Sequence, residues 1–171
     1  MGIFRPRMYY KSIFDINYEV LKKKNIKVII FDLDNTIMKV DEETPSNKVE
    51  ELFNKLNKGF KVFIASNNEE DRVKNIGKKL DVHAFYKVSK PSKKIKKLLL
   101  NKYSVNMNEV AIIGDQIVTD IFMGNRLHMV TILVDPMANK DLRITYFNRW
   151  LERRILKIIR LKRGDYYEEI L

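Results

Sequence analysis

Short apolar runs alternate with segments of helical spacing along most of the chain. "KVIIFDL" (27–33), "FKVFIAS" (60–66), "VHAFYKV" (82–88), "EVAIIGD" (109–115) and "MVTILVD" (129–135) are rich in Val, Ile and Phe and predict strands. Residues 46–58, 69–80, 91–103 and 116–125 predict helices, with Ser46, Ser92 and Asp115 at or near capping positions. This βαβαβαβαβ order implies an α/β fold, a parallel sheet with helices on both faces, and the nearly continuous apolar strands agree with burial on both sides. No repeat or Gly/Ser linker divides it. The expectation is one domain over 1–171: a basic, aromatic, helical segment at 1–26, a core at 27–139, and a basic amphipathic helix at 140–163.

Composition narrows the chemistry. The chain has no cysteine, which excludes disulfides, thiolate metal sites and cysteine nucleophiles, and His83 and His128 alone cannot complete a structural zinc site. No apolar run reaches the ~20 residues of a membrane span, and "MGIFRPRMYY" lacks a signal-peptide core. A cytoplasmic protein is expected. Net charge is +11, and its excess lies at the ends: residues 140–163 alone hold nine basic and two acidic groups. An anionic surface is the implied partner, phospholipid or nucleic acid.

Ligands of such sheets bind beyond the carboxyl ends of the strands. Those ends carry Asp32, Asp34, Asn35 and Thr36; then Ser66, Asn67 and Asn68; then Lys90 before Pro91; then Gly114, Asp115 and, one helical turn on, Asp120. Three carboxylates (Asp32, Asp34 and Asp115), a hydroxyl (Ser66) and an ammonium (Lys90) on one edge suit a hard cation such as Mg²⁺ and phosphoryl chemistry. Two aspartates at i and i+2 face the same side of an extended chain, so one is available to attack phosphorus while the other moves protons. Ser66 and the amides after it are candidates to hold phosphoryl oxygens, and Lys90 to neutralise charge developing on them.

"DLDNT", Ser66 in "ASNN", Lys90 in "SKPSKK" and "IGDQIVTD" resemble, in this order, the four motifs of the haloacid dehalogenase (HAD) superfamily. "SNNEEDRV", "GDQIVTDIFMGNR" and the tail "YFNRWLERRIL" narrow the resemblance to the YqeG-type phosphatases of subfamily IIIA, akin to mitochondrial phosphatidylglycerophosphate phosphatases. The resemblance implies a Rossmannoid three-layer sandwich. It also implies Asp32 as nucleophile, Asp34 as general acid/base, and Mg²⁺ held by Asp32, the Asp34 carbonyl and Asp115. Ser66, Asn67 and Lys90 would bind the phosphoryl group, with Thr36 and Asp120 in support and Arg126 a candidate substrate contact. Asp32 to Ser66, Ser66 to Lys90 and Lys90 to Asp115 are 34, 24 and 25 residues apart, leaving no room for a cap domain. An open site of this kind suits a large or membrane-presented phosphate.

In 141–163, Ile144, Phe147, Leu151, Ile155 and Ile158 recur at helical spacing, with Trp150 and Ile159 beside them, and Arg149, Arg153, Lys157 and Arg160 form another row. This composition fits a helix lying in a lipid interface, with the aromatic N-terminal segment sharing that surface. The competing expectation is that the apolar stripe packs on the domain and the arginines are solvated. The leading substrate is a phospholipid headgroup, with peripheral contact on the cytoplasmic face of an anionic membrane. The alternatives are a soluble phosphomonoester or phosphoprotein substrate, and a non-catalytic RNA- or ribosome-associated protein. The chain carries no motif for base readout, which disfavours nucleic acid.

Overall fold

Alternate residues of the central strand serve opposite faces of the sheet. Val28 and Ile30 belong to one buried cluster and Ile29 and Phe31 to another, as the two-residue period of a strand dictates. The computed structural model describes residues 2–103, 105–138 and 144–169. Its elements run β1 (Met8–Tyr10), α1 (Tyr18–Lys23), β2 (Val28–Phe31), α2 (Asn47–Leu56), β3 (Lys61–Ala65), α3 (Glu70–Lys79), β4 (His83–Phe85), α4 (Lys94–Lys102), β5 (Val110–Gly114), α5 (Phe122–Arg126), β6 (Val130–Val134), α6 (Ile144–Ile158) and β7 (Tyr167–Glu168). A π-helical turn, Ile117–Ile121, leads into α5.

The strands form one sheet in the order β4-β3-β2-β5-β6-β1-β7. Every neighbouring pair is parallel except β1 and β7, which are antiparallel. From β2 the chain moves outward through β3 and β4, then returns to place β5 on the other side of β2. The carboxyl ends of β2 and β5 therefore flank the point where winding reverses, the place where an open α/β sheet forms its crevice.

Three apolar clusters hold the layers together. Ile29, Phe31, Ile64 and Ile113 meet Phe53 of α2 and Val73 and Ile76 of α3 on one face. Val28, Ile30, Phe63 and Ile112 meet Ile95 and Leu99 of α4 and Met123 of α5 on the other. Tyr9, Leu133, Ile117 and Ile121 meet Ile155 of α6 in the third. The result is the expected α/β three-layer arrangement, and each crossover from β2 to β5 consists of one helix with its loops. No helix among the described residues is long and apolar enough to cross a membrane.

Both ends of the chain differ from expectation. Within 1–26 only α1 is helical, while Met8–Tyr10 form a strand, and Met8, Tyr9, Ile13, Ile16 and Leu21 are buried. Much of the aromatic and apolar character of this segment feeds the core, and the segment also meets the tail: Phe4 packs in the cluster that holds Leu151 and Ile159, and Arg5 donates to the Ile159 carbonyl at 3.4 Å. Leu151 and Ile155 of α6, and Ile159 just past its end, pack against the body, whereas Trp150 is 54% and Ile158 78% exposed. Ile158 thus falls outside the packed stripe. Arg153, Arg154, Lys157 and Arg160 are exposed, and Arg154 lies over the Trp150 ring at 5.4 Å. Residues 140–143 of the expected helix, and the side chains of Ile144, Phe147 and Arg149, lie outside the described residues.

Candidate active site

Asp32 is the first residue beyond β2, and its N–H donates to the Ile113 carbonyl at 2.8 Å, extending the β2–β5 ladder by one residue. The chain then turns sharply. Asn35 takes a left-handed φ of 59°, which Asn tolerates better than most side chains, and its N–H donates to the Met38 carbonyl at 2.7 Å. This turn separates the two carboxylates that the sequence sets side by side.

The Asp32 carboxylate points inward. It pairs with the Lys90 ammonium, which also donates to Asp120 Oδ1 at 2.8 Å, and accepts from Thr36 Oγ1 at 3.4 Å. Asp115 completes the group: Asp32, Asp115 and Asp120 each offer an oxygen within 4.8 Å of the others, and all three are buried. Gly114 makes the approach of Asp120 feasible, because a Cβ there would collide with the Asp120 carboxyl. Asp34 has partners of its own. Its carboxylate accepts from Asn68 Nδ2 at 2.6 Å and from Arg72 Nη2 at 3.1 Å. Arg72, in the first turn of α3, also donates to the Glu42 carbonyl at 2.7 Å.

The electrostatics follow from three buried carboxylates facing one buried ammonium. Burial pushes Asp32 up to about 7 against the pull of Lys90. Burial, then the charges of Asp32 and Asp120, push Asp115 well above the usual carboxylate range. For Lys90 burial acts downward, but Asp120 and Asp32 outweigh it and hold the amine charged. Asp34 is raised by burial, with Arg72 opposing. A divalent cation would relieve this excess negative charge, and Asp115 Oδ1 is buried with no hydrogen-bond partner. An all-oxygen donor set with a buried open carboxylate oxygen fits Mg²⁺.

Ser66 sits at the end of β3, buried, and its Oγ accepts from the Asn68 N–H at 3.1 Å. The Asn67 side chain is engaged with the main chain of Lys90, accepting from its N–H at 2.7 Å and donating to its carbonyl at 3.3 Å. It therefore positions Lys90. Arg126 ends α5, which has carried the chain back to the start of β6, and stacks on Phe122 at 5.1 Å. That is the amino edge of the sheet, opposite Asp115, so Arg126 stands apart from the carboxylate cluster. Sequence reasoning did not single out Arg72, Glu152 or Arg163. Arg72 follows the "SNN" motif by one helical turn, a spacing that points back to the strand end, whereas nothing in the sequence separates Arg163 from its basic neighbours.

With this geometry in place, comparison with known proteins is decisive. The family model described as mitochondrial PGP phosphatase matches residues 2–138. The chain belongs to this phosphatase family. A probable phosphatase, YqeG, from Bacillus subtilis (strain 168) is 40% identical to it over 167 residues, 97% of each chain. Phosphatidylglycerophosphate phosphatase 1, chloroplastic/mitochondrial, from Arabidopsis thaliana is 23% identical over 174 residues, 86% of this chain but only 48% of that protein. This chain thus spans about half of that relative. Among solved structures, a HAD family enzyme from Bacteroides thetaiotaomicron in a magnesium complex matches with a TM-score of 0.53 and 15% identity, over 72% of this chain and 99% of that one. Its complex with magnesium and inorganic phosphate matches at 0.52, with 14% identity over 71% and 99%. The chain has the fold of that HAD family enzyme, and it is a phosphatase.

Proposed function

We propose that this phosphatase hydrolyses a phosphomonoester through an aspartyl-phosphate, and that its substrate is phosphatidylglycerophosphate at the cytoplasmic face of an anionic membrane. The observation that carries the chemistry is the division of the aspartate pair. Asp32 lies in the cluster with Lys90, Asp115 and Asp120, while Asp34 accepts from Asn68 and Arg72. Asp32 attacks phosphorus, forming an Oδ–P bond as the P–O bond to the alcohol breaks, and protonated Asp34 gives its proton to the departing oxygen. Asp34 then takes a proton from water, whose oxygen attacks phosphorus and breaks the Oδ–P bond, releasing phosphate and restoring Asp32. Ser66 and Lys90 hold the phosphoryl oxygens throughout. Mg²⁺, held by Asp32, Asp115 and the Asp34 carbonyl, with Asp120 close by, would supply positive charge against those oxygens when bound.

The lipid substrate is supported by the name of the Arabidopsis relative and by the surface beside the site. A cleft of about 510 Å³ opens between Asp115–Gln116, Asp135–Pro136 and Arg153 and Leu156 of α6, so the helix borders the catalytic edge. Its outward side carries Trp150 among exposed arginines and Lys157, an aromatic within cationic surroundings that matches an anionic lipid interface. The test is phosphate release from a panel of phosphorylated lipids, nucleotides and sugars, with Mg²⁺ and with chelator. Turnover of the lipid in Mg²⁺ and none in chelator is expected. Efficient turnover of soluble esters with none on the lipid would overturn the substrate, and full activity in chelator would overturn the metal.

A further inference from the structure

The matched family region ends at residue 138, yet one guanidinium from beyond it reaches the strand-end edge. Arg163 Nη2 donates to the Asp115 main-chain carbonyl at 2.8 Å and to Glu152 Oε1 at 2.6 Å. Its Nη1 donates to the Val134 carbonyl at 3.1 Å and lies 3.5 Å from Asp135 Oδ1. Glu152, buried on α6, also accepts from the Ile117 N–H at 3.4 Å, two residues past Asp115. Arg163 is itself anchored from behind. Gly164, at a left-handed φ of 94° that favours glycine, donates its N–H to Tyr9 Oη at 3.0 Å, and Tyr166 Oη donates to Asp135 at 2.5 Å.

We infer that Arg163, held by Glu152, is a positioning residue that fixes the Asp115 main chain and so sets the metal affinity of the site. Asp115 stands among like charges, and electrostatic repulsion favours its moving outward. A hydrogen bond to its side chain would oppose that motion but occupy an oxygen the cation needs. The guanidinium instead grips the peptide carbonyl, restraining the residue while Oδ1 stays open. The planar fork matters, because it spans the carbonyls ending β5 and β6 together with two carboxylates. A lysine supplies the charge without the fork. The tail is thereby part of the catalytic apparatus, although its residues bring no reacting group.

This inference rests on the reading of Asp32 and Asp115 as Mg²⁺ ligands, and its test is direct binding. Isothermal calorimetry with Mg²⁺ alone is expected to show affinity lower by ~10- to 100-fold in Arg163→Ala, the range for residues that orient metal ligands. Arg163→Lys should fall in between and covers the case in which the alanine variant does not fold. Amide exchange measured on the same variants should rise locally over 113–121 and 134–137, with the remainder of the sheet unchanged. Tyr166→Phe, which loosens the same segment at Asp135 without touching Asp115, should bind Mg²⁺ as the parent chain does. Folded Arg163 variants with parental affinity would overturn the inference alone, as would an equal loss in Tyr166→Phe. Failure of the parent chain to bind Mg²⁺ would overturn the metal reading, and this inference with it.

Discussion

Two concentrations of charge border the same edge of the sheet and obey opposite rules. Around Asp32 the charges are buried, and each of Asp32, Lys90 and Asp120 faces an opposite charge within hydrogen-bond reach. Along the outward side of α6, Arg153, Arg154 and Lys157 are exposed, with Trp150 among them. Burying a charge costs several kcal/mol unless it is paired, and even a paired one rarely outperforms a hydrophobic replacement. The inner cluster is therefore poor stabilisation and must be accounted for by chemistry. Exposed charges cost little and stabilise little, so their concentration speaks only to what meets the surface. Burial separates reaction from recognition more reliably than the identity of the residues does.

The sharpest break of this comparison is at the inner cluster. Asp32→Asn should reduce phosphate release to background while the circular dichroism spectrum is kept, and persistent turnover would remove the covalent step. Asp34→Asn should lower turnover by ~10²–10⁴-fold, the usual worth of a positioned acid/base, with Mg²⁺ binding retained. Next comes a pair within α6. Ile155→Ala should cost about 2–5 kcal/mol in denaturant unfolding, as a buried aliphatic does, whereas Ile158→Ala should leave stability unchanged and weaken binding to anionic vesicles. Equal stability losses would dissolve the distinction between the helix's two sides. Arg154→Glu with Lys157→Glu should weaken vesicle sedimentation in a salt-dependent way, by about 1 kcal/mol or more per site.

The smallest effect is a pH dependence. Folding raises the carboxyl of Asp32 from 3.8 to about 7, so the folded chain binds more protons than the unfolded one between those values. The contribution of this cluster to stability is fully present below the unfolded value and is lost as pH rises toward the folded one. In the proposed site Mg²⁺ would bind the ionised form and offset that loss. The gain in thermal midpoint on adding Mg²⁺ should therefore grow from about pH 4 to about pH 7, and a gain independent of pH would detach the cluster from the metal.

Strands β2, β3, β5 and β6 were legible because each is a run of apolar residues long enough to show its period, β4 because its three residues lie within the longer run 82–88, and Asp32, Ser66, Lys90 and Asp115 because each follows such a run. β1 and β7 were not: three and two residues carry no period, and their pairing is decided by partners far along the chain. Arg72 and Arg163 escaped for the same reason, since their roles come from contacts with Asp34, 38 residues away, and Asp115, 48 residues away. Arg126, a candidate substrate contact in the sequence, is placed by α5 at the opposite edge of the sheet from Asp115 and Asp120. The tail was read as a stripe and a row, and the fold settled which side faces inward by giving Leu151, Ile155 and Ile159 a cluster to join.

The antiparallel pairing of Met8 with Glu168 and Tyr9 with Tyr167 joins the two ends of the chain, and it orders events in time. During synthesis β1 leaves the ribosome long before β7 exists, so β1 can pair with β6 well before that edge acquires its last strand, and contacts this distant in sequence form late. Arg163 belongs to the same late segment. Pulse-labelled refolding should find the amides of β2, β3 and β5 protected first and those of 163–168 last, with the metal site reaching full affinity only at that final step. A nascent or C-terminally nicked chain would then hold nearly the whole fold while binding Mg²⁺ more weakly than the finished one.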